Sequence, residues 1–222
     1  MTFRPEDRVG ARLPRPCLML VTGRRLAGGE DALLHAVDAA VEGGVNAVQV
    51  REKDLEPARL VLLAARVRAM CADRALVIVN GDAGVARECG ADGVHLPEDA
   101  PWPASVPETM LVGRSVHSVE AAERAAAEGA RYLIAGPVYE TRSHPGRAAS
   151  GVELIRRICE AVESPVIGIG GIDYQRAATV VRAGASGVAV ISAVLAAPSP
   201  RDAASRLWGA VAEAFREAEA AR

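Results

Sequence analysis

Eight short apolar runs of strand length alternate along the chain with stretches that carry helical periodicity. The runs cover residues 18–21, 47–50, 76–79, 93–96, 111–114, 132–135, 166–169 and 187–190. In the first intervening stretch, Leu33, Leu34, Val37 and Val41 fall on one face of a helix. Such alternation indicates a parallel sheet covered by helices, and eight units close a barrel. We therefore predict an α/β fold, a single-domain (β/α)8 TIM barrel over residues 15–222, with an open doubly wound sheet as the alternative.

Composition and charge argue against several classes of partner. The 222 residues carry a net charge of −2, which gives no general attraction to nucleic acid or to anionic membranes. No apolar run approaches the roughly 18 residues of a membrane span, and we expect residues 1–14 to form a flexible tail without the apolar core of a signal peptide. The four cysteines lie far apart, as in a reduced protein. A cytoplasmic protein without nucleic-acid or membrane partners is therefore expected.

Two strand ends carry small residues of the kind that bind phosphate. Residues 165–172 read Pro-Val-Ile-Gly-Ile-Gly-Gly-Ile, and residues 187–192 read Gly-Val-Ala-Val-Ile-Ser. In (β/α)8 barrels the loops after strands 7 and 8 frequently hold a phosphate, and glycine lets the ligand reach backbone N–H groups. The sequence therefore predicts a phosphorylated small-molecule ligand, bound by Gly170, Gly171, Ile191 and Ser192.

Polar side chains follow the second strand at alternate positions. Gln49, Arg51 and Lys53 share one face under strand periodicity, and we expect that face to point into the mouth of the barrel. Two cations on one face suit a phosphate or a carboxylate. The alternative is that these cations form ion pairs with the adjacent Glu52 or Asp54.

Three further strand ends offer groups for recognition or proton transfer. Asn80 presents an amide to a heterocycle, or else it forms a turn into the next helix. His95 either lines the barrel or touches the ligand. His117 lies in the loop before a helix, where an imidazole can take and return a proton near neutral pH, or else it is structural. The sequence has no His/Cys cluster with metal-ligand spacing, so no metal is predicted.

A long polar loop follows the sixth strand, over residues 139–151. Long loops at a barrel mouth are often lids. Arg142, His144 and Arg147 would then close over an anionic ligand. The alternative is a solvated loop without a ligand role.

Over residues 17–210 the chain resembles the thiamin phosphate synthase superfamily. The matching motifs are Gln49-x-Arg51-x-Lys53, Asn80, Ala91-Asp-Gly-Val-His95, Gly113-x-Ser115, Gly136-Pro-Val with Thr141, Gly168-Ile-Gly-Gly-Ile172 and Gly187-Val-Ala-Val-Ile-Ser192. The resemblance implies a (β/α)8 barrel of thiamin biosynthesis that binds a small-molecule thiazole phosphate, and a homodimer. It also implies a substrate pocket that includes Gln49, Arg51, Lys53, Asn80, Ser115 and Thr141.

The superfamily holds two activities, and the chain departs from one of them. The synthase joins a pyrimidine diphosphate to a thiazole phosphate with Mg²⁺, which two aspartates hold. Their positions are Gly81 and Ala100 here, and the lid lysine of the synthase corresponds to His144. Asp82 or Asp99 would have to replace the lost aspartates after a backbone shift. A diphosphate leaving group needs its charge neutralised, so these departures weaken the synthase interpretation.

The second activity, that of the thiazole tautomerase, resembles the chain where the synthase does not. The similarities are Asn80-Gly81, Leu96-Pro97, residues 113–120 and Glu140-Thr141, and the catalytic histidine of the tautomerase falls on His117. We therefore predict an isomerase that aromatises a carboxythiazoline phosphate to the carboxythiazole phosphate by a proton shift, without metal or cofactor. His117 would be the acid and base, while Arg51 and Lys53 would hold the carboxylate.

Three alternatives stay open beside the tautomerase. The first is a transferase, a thiamin phosphate synthase with a rearranged Mg²⁺ site, which the synthase-like motif from Gln49 to Lys53 favours. The second is a non-catalytic, regulatory relative that keeps the phosphate site. The third is an unrelated phosphate-binding barrel, although the paired aspartates or Lys/Glu sets that such enzymes need are not apparent at the strand ends.

Overall fold

The structure is a computed structural model that describes residues 12–141 and 149–221. Eight parallel strands close into a barrel in sequence order, and the last strand pairs with the first. The strands are β1 (Cys17–Val21), β2 (Ala47–Val50), β3 (Leu76–Asn80), β4 (Gly93–Leu96), β5 (Leu111–Val116), β6 (Tyr132–Ala135), β7 (Val166–Ile169) and β8 (Gly187–Val190). The predicted (β/α)8 TIM barrel is confirmed, and each predicted run lies within one strand.

Helices cover the outside of the barrel. In the described ranges they are α1 (Arg24–Ala27), α2 (Glu30–Glu42), α3 (Pro57–Cys71), α4 (Ala83–Glu88), α5 (Val119–Ala127), α6 (Gly151–Ala161), α7 (Tyr174–Arg182), α8 (Ser192–Leu195) and α9 (Pro200–Ala220). Asp82, Ser118 and Asp173 cap α4, α5 and α7, because each side chain accepts hydrogen bonds from backbone N–H groups of the first turn. Across the part of the chain that the structure describes, no helix combines the length and the apolar character that crossing a membrane requires.

The proline-rich segment 97–110 connects β4 to β5 and forms turns instead of a helix. It holds four prolines, each of which lacks the backbone donor that a helix needs. The fourth unit of the barrel therefore places an irregular segment beside the carboxyl ends of the strands.

Strand residues alternate between the barrel interior and the layer beneath the helices. In β1, Met19 belongs to the interior cluster, and Leu18 and Leu20 belong to the cluster under the helices. Leu13, just ahead of β1, is buried in the interior cluster as well. Residues 1–11 of the expected tail lie outside the described residues, so its boundary at residue 14 stays a prediction.

The same alternation brings polar residues to the mouth of the barrel. Leu76 and Ile78 point inward in β3, so Asn80 at its carboxyl end faces the mouth. Gln49 follows the inward Ala47 of β2 in the same way. The carboxyl ends of the strands are the face at which TIM barrels carry their active sites, and polar residues collect there in this protein.

Candidate active site

A pocket of about 570 Å³ opens at the carboxyl ends of the strands. This volume lies in the range of pockets that hold small-molecule ligands. The wall includes every residue that the sequence predicts for the site, namely Gln49, Arg51, Lys53, Asn80, Ser115, His117, Thr141, Gly170, Gly171, Ile191 and Ser192. The structure therefore brings the predicted residues together, and the role of each stays a prediction.

The loops after β7 and β8 form one side of the pocket. Gly170 and Gly171 have φ angles of +103° and +62°, which favour glycine. Arg176 donates from Nη1 to the carbonyl oxygen of Gly171 at 2.8 Å and holds the loop in place. Within residues 12–141 and 149–221, the backbone N–H groups of Gly171, Ser192 and Ala193 have no acceptor. This side of the pocket thus offers backbone donors to an oxyanion.

A cationic side of the pocket comes from the end of β2. Arg51 is half-buried and Lys53, the only lysine in the sequence, is exposed at the pocket wall. The adjacent acidic residues Glu52 and Asp54 form ion pairs with Arg24. Arg24 Nη1 lies 3.4 Å from Glu52 Oε2 and 2.8 Å from Asp54 Oδ1. Burial lowers the pKa of Arg51, although an arginine keeps its charge. The two cations are therefore available to an anionic ligand.

Gln49 and Asn80 form an amide pair below the cations. Asn80 Nδ2 donates to Gln49 Oε1 at 3.3 Å, and Gln49 is buried. Asp82, and not Asn80, caps the following helix α4. The remaining amide groups of this pair are suited to reading the donors and acceptors of a heterocycle.

His117 is oriented by a carboxylate that sequence reasoning missed. Glu98 Oε2 lies 2.7 Å from His117 Nδ1. Arg114 donates from Nη1 to the carbonyl oxygen of Glu98 at 3.0 Å, and its guanidinium lies 5.5 Å from the ring centre of Trp102. These contacts fix the 97–110 segment and the glutamate that it carries. The available signal was the position of Glu98 two residues past the end of β4.

His95 lines the pocket and also belongs to a buried hydrogen-bond chain. Its Nδ1 lies 3.1 Å from the Tyr132 hydroxyl, and its Nε2 lies 2.8 Å from Ser115 Oγ. Burial, assisted by the positive charges of Arg51 and Arg114, lowers the pKa of His95 to about 3. His95 is therefore a neutral imidazole at any pH at which the protein is expected to work.

The predicted lid falls mainly outside the described residues. Arg142, His144 and Arg147 lie in the segment 142–148, which the structure does not describe. Thr141, just before this segment, lines the pocket. The closing function of the loop stays a prediction.

Acidification from pH 6.5 to pH 4.5 is expected to destabilise the fold through His95. The pKa of this group is about 3 in the folded protein and near 6.5 in the unfolded chain. Between these values the unfolded chain binds a proton that the folded protein excludes, so the free energy of unfolding falls as the pH falls, with a slope from His95 that approaches about 1.4 kcal/mol per pH unit.

In the His95→Gln variant the free energy of unfolding should depend less steeply on pH. The dependence is measured as the difference between urea-unfolding free energies at pH 6.5 and pH 4.5. His35→Gln is the matched control, because His35 is exposed and its removal should leave the dependence as in the unmodified protein. Equal slopes in His95→Gln and the unmodified protein would contradict this account.

Comparison with known proteins identifies the family. A family model described as thiamine monophosphate synthase matches residues 18–194. The thiamine-phosphate synthase of Roseiflexus sp. (strain RS-1) is 41% identical over 206 residues, which cover 89% of this chain and 86% of that protein. A putative thiamine-phosphate synthase of Geobacter sulfurreducens is 41% identical over 201 residues, or 86% of this chain and 92% of that protein. Among solved structures, thiamine phosphate pyrophosphorylase from Pyrococcus furiosus superposes with a TM-score of 0.77 at 34% identity, covering 89% of this chain and 96% of that chain.

The predicted tautomerase, and with it the isomerase class, is wrong, because these relatives carry the name of the synthase. The tautomerase prediction depends on Gly81 and Ala100, at the two positions where the resemblance places the magnesium aspartates of the synthase. An ion that binds together with a phosphorylated substrate needs only one or two protein carboxylates. Asp99, directly before Ala100, lines the pocket, so a carboxylate is still present beside the position of the second aspartate.

The superfamily resemblance read from the motifs agrees with these comparisons. The family model spans most of the barrel, from β1 to α8. Relatives at 41% identity cover most of this chain and most of their own length. The chain belongs to the thiamine monophosphate synthase family.

Proposed function

We propose that this protein is a transferase that condenses a pyrimidine diphosphate with a thiazole phosphate, the reaction named for its relatives. The observation that carries the proposal is that one pocket holds two separate sets of anion-binding groups. Backbone donors follow β7 and β8, and the cations Arg51 and Lys53 follow β2. Two phosphorylated substrates that react with each other need two such sets in one pocket.

The proposed roles follow from the charge that develops in the reaction. The carbon–oxygen bond to the diphosphate breaks, a carbon–nitrogen bond to the thiazole forms, and the bonding electrons leave with the diphosphate. Arg51 and Lys53 stabilise the negative charge that grows on this leaving group. Gln49 and Asn80 hold the pyrimidine through their amide groups. The loops after β7 and β8 keep the phosphate of the thiazole in place.

His117 takes a different role from the one predicted for it. The thiazole nitrogen attacks through its lone pair and carries no proton, so forming the new bond does not require acid–base catalysis. His117 Nδ1 lies 2.7 Å from Glu98 Oε2, and His117, like Asp99, lines the pocket. We assign it to the polar wall around the substrates.

The pocket fits a magnesium ion that arrives with the diphosphate. Among the described residues no three His, Cys, Asp or Glu side chains come together as a metal site. Mg²⁺ is commonly bound, however, by one or two carboxylates and substrate phosphates. Asp99 would hold the ion, since Glu98 is bonded to His117 and Asp82 caps α4. When bound, Mg²⁺ neutralises charge on the diphosphate.

Replacing Asp99 with asparagine is expected to raise the Mg²⁺ concentration for half-maximal rate about tenfold, which corresponds to a loss of about 1.4 kcal/mol in binding. The thermal stability should stay the same, because Asp99 is exposed. Initial rates measured over a Mg²⁺ titration test this result. Asp31→Asn is the control, since Asp31 is exposed on α2 and bonds to Arg66 away from the pocket. An unchanged Mg²⁺ dependence in Asp99→Asn would rule out this carboxylate.

The proposed function is tested with the purified protein, the pyrimidine diphosphate, the thiazole phosphate and Mg²⁺. The expected result is thiamine phosphate, detected by chromatography, together with an equal amount of released diphosphate. Omitting the thiazole phosphate gives the background of simple hydrolysis. Binding of both substrates without product would contradict the proposal and indicate the non-catalytic relative instead.

A further inference from the structure

A buried hydrogen-bond chain runs from the barrel interior to the pocket wall. It consists of Tyr132, His95 and Ser115, joined by contacts of 3.1 Å and 2.8 Å. Tyr132 and His95 are 0% and 1% exposed, and Ser115 lies at the pocket. The ring of Tyr132 occupies the space of a side chain at Gly113, because a Cβ there would lie 2.1 Å from two of its ring atoms. The position of the tyrosine is thus built into the barrel core.

Two neutral tautomers of His95 are compatible with these distances, and they place the hydrogens differently. With the proton on Nε2, Tyr132 donates to Nδ1, His95 donates to Ser115 Oγ, and the hydroxyl hydrogen of Ser115 is left for the pocket. With the proton on Nδ1, His95 donates to Tyr132, and Ser115 donates to Nε2. The hydroxyl hydrogen of Tyr132 then needs another acceptor.

The surroundings of Tyr132 decide between the tautomers. Throughout residues 12–141 and 149–221, the only hydrogen-bond partner of its hydroxyl group is His95. The Nδ1–H tautomer would therefore leave a fully buried donor unsatisfied, and an unmade buried hydrogen bond is unfavourable enough to shift such an equilibrium by about tenfold or more. The doubly protonated ring is excluded too, because the pKa of His95 lies near 3.

We propose that Tyr132, acting through neutral His95, fixes Ser115 as a hydrogen-bond donor toward the pocket. The ligand group that contacts Ser115 is then an acceptor, and the charge of Arg51 on the same wall selects an oxyanion. Tyr132 and His95 are positioning residues, since both act through Ser115. The identification of this oxyanion as the diphosphate of a substrate rests on the proposed function. The tautomer of His95 and the donor role of Ser115 are independent of it.

Nitrogen NMR of the histidine rings tests the tautomer directly. In the unmodified protein without ligand, we expect His95 Nε2 to be protonated and Nδ1 to be unprotonated, without titration between pH 5 and pH 8. The His95→Gln variant assigns the signals. In Tyr132→Phe the Nδ1–H form should become populated. A protonated Nδ1 in the unmodified protein would overturn the proposal, even where Tyr132→Phe fails to fold.

A double-mutant cycle with inorganic diphosphate tests the consequence for binding. Tyr132→Phe is expected to weaken binding about threefold to tenfold while Ser115 is present. In the Ser115→Ala background, Tyr132→Phe should not weaken binding further, because the Ser115 hydroxyl through which Tyr132 acts on the ligand is absent. Independent, additive losses would indicate a general structural role and overturn the proposal. The expected tautomer without any diphosphate binding would support the donor role of Ser115 and contradict the proposed function.

Discussion

Gly171→Ala is expected to weaken binding of the thiazole phosphate about tenfold to hundredfold, the effect of losing one hydrogen bond to a charged group. Gly171 has a φ angle of +62°, and a Cβ there would lie 2.5 Å from the carbonyl oxygen of Glu140 and 2.8 Å from Tyr139 Cβ. The loop must shift to make room, and the backbone N–H group of residue 171 shifts with it. Titration calorimetry with the thiazole phosphate measures the loss.

Gly90→Ala is the control that distinguishes a loss of phosphate binding from the general effect of backbone strain. Gly90 has a nearly equal φ angle of +68°, and a Cβ there would meet nothing within 4 Å. Both variants should therefore lose stability through the left-handed conformation, and only Gly171→Ala should lose binding. Equal binding by the two variants would show that the loop after β7 does not hold the phosphate.

The second large effect is expected for Arg51→Gln, which should lower kcat of the condensation about 10²-fold to 10³-fold, as for other residues that stabilise charge in a transition state. The fold should be as stable as before or more stable, because burial disfavours the charged form and lowers the pKa of Arg51. Steady-state kinetics and thermal unfolding of the same samples measure both quantities.

Arg25→Gln is the control for this substitution. Arg25 lies on α1, its side chain is 81% exposed, and it pairs with Asp54. Its loss should leave kcat and the melting temperature near those of the unmodified protein. A normal kcat in Arg51→Gln, or an unfolded Arg51→Gln protein, would contradict the role given to this arginine.

Local periodicity was sufficient for the barrel and for much of the pocket. Alternation along β2 predicts that Gln49 and the residues that continue its face, Arg51 and Lys53, point toward the mouth of the barrel, and all three line the pocket. The glycines after β7 were recognisable for the same local reason. These features depend on residues that are adjacent in sequence.

Contacts between distant residues were not predictable in this way. His95 meets Tyr132 across 37 positions, and His117 meets Glu98 across 19. Nothing in either local sequence specifies such a partner. Single positions such as Gly81 and Ala100 also do not reveal whether a neighbouring carboxylate such as Asp99 holds a magnesium ion. The homodimer and the cytoplasmic location stay predictions.

Lys53 makes the pocket chemically addressable. Lys53 is the single lysine among the 26 lysine and arginine residues of the sequence, so a reagent selective for side-chain amines has one target, and that target lies at the pocket. Reductive methylation with isotope-labelled formaldehyde would place one side-chain probe there, distinguishable from the terminal amine. Its signal would report occupancy by either substrate without a mutation and without turnover.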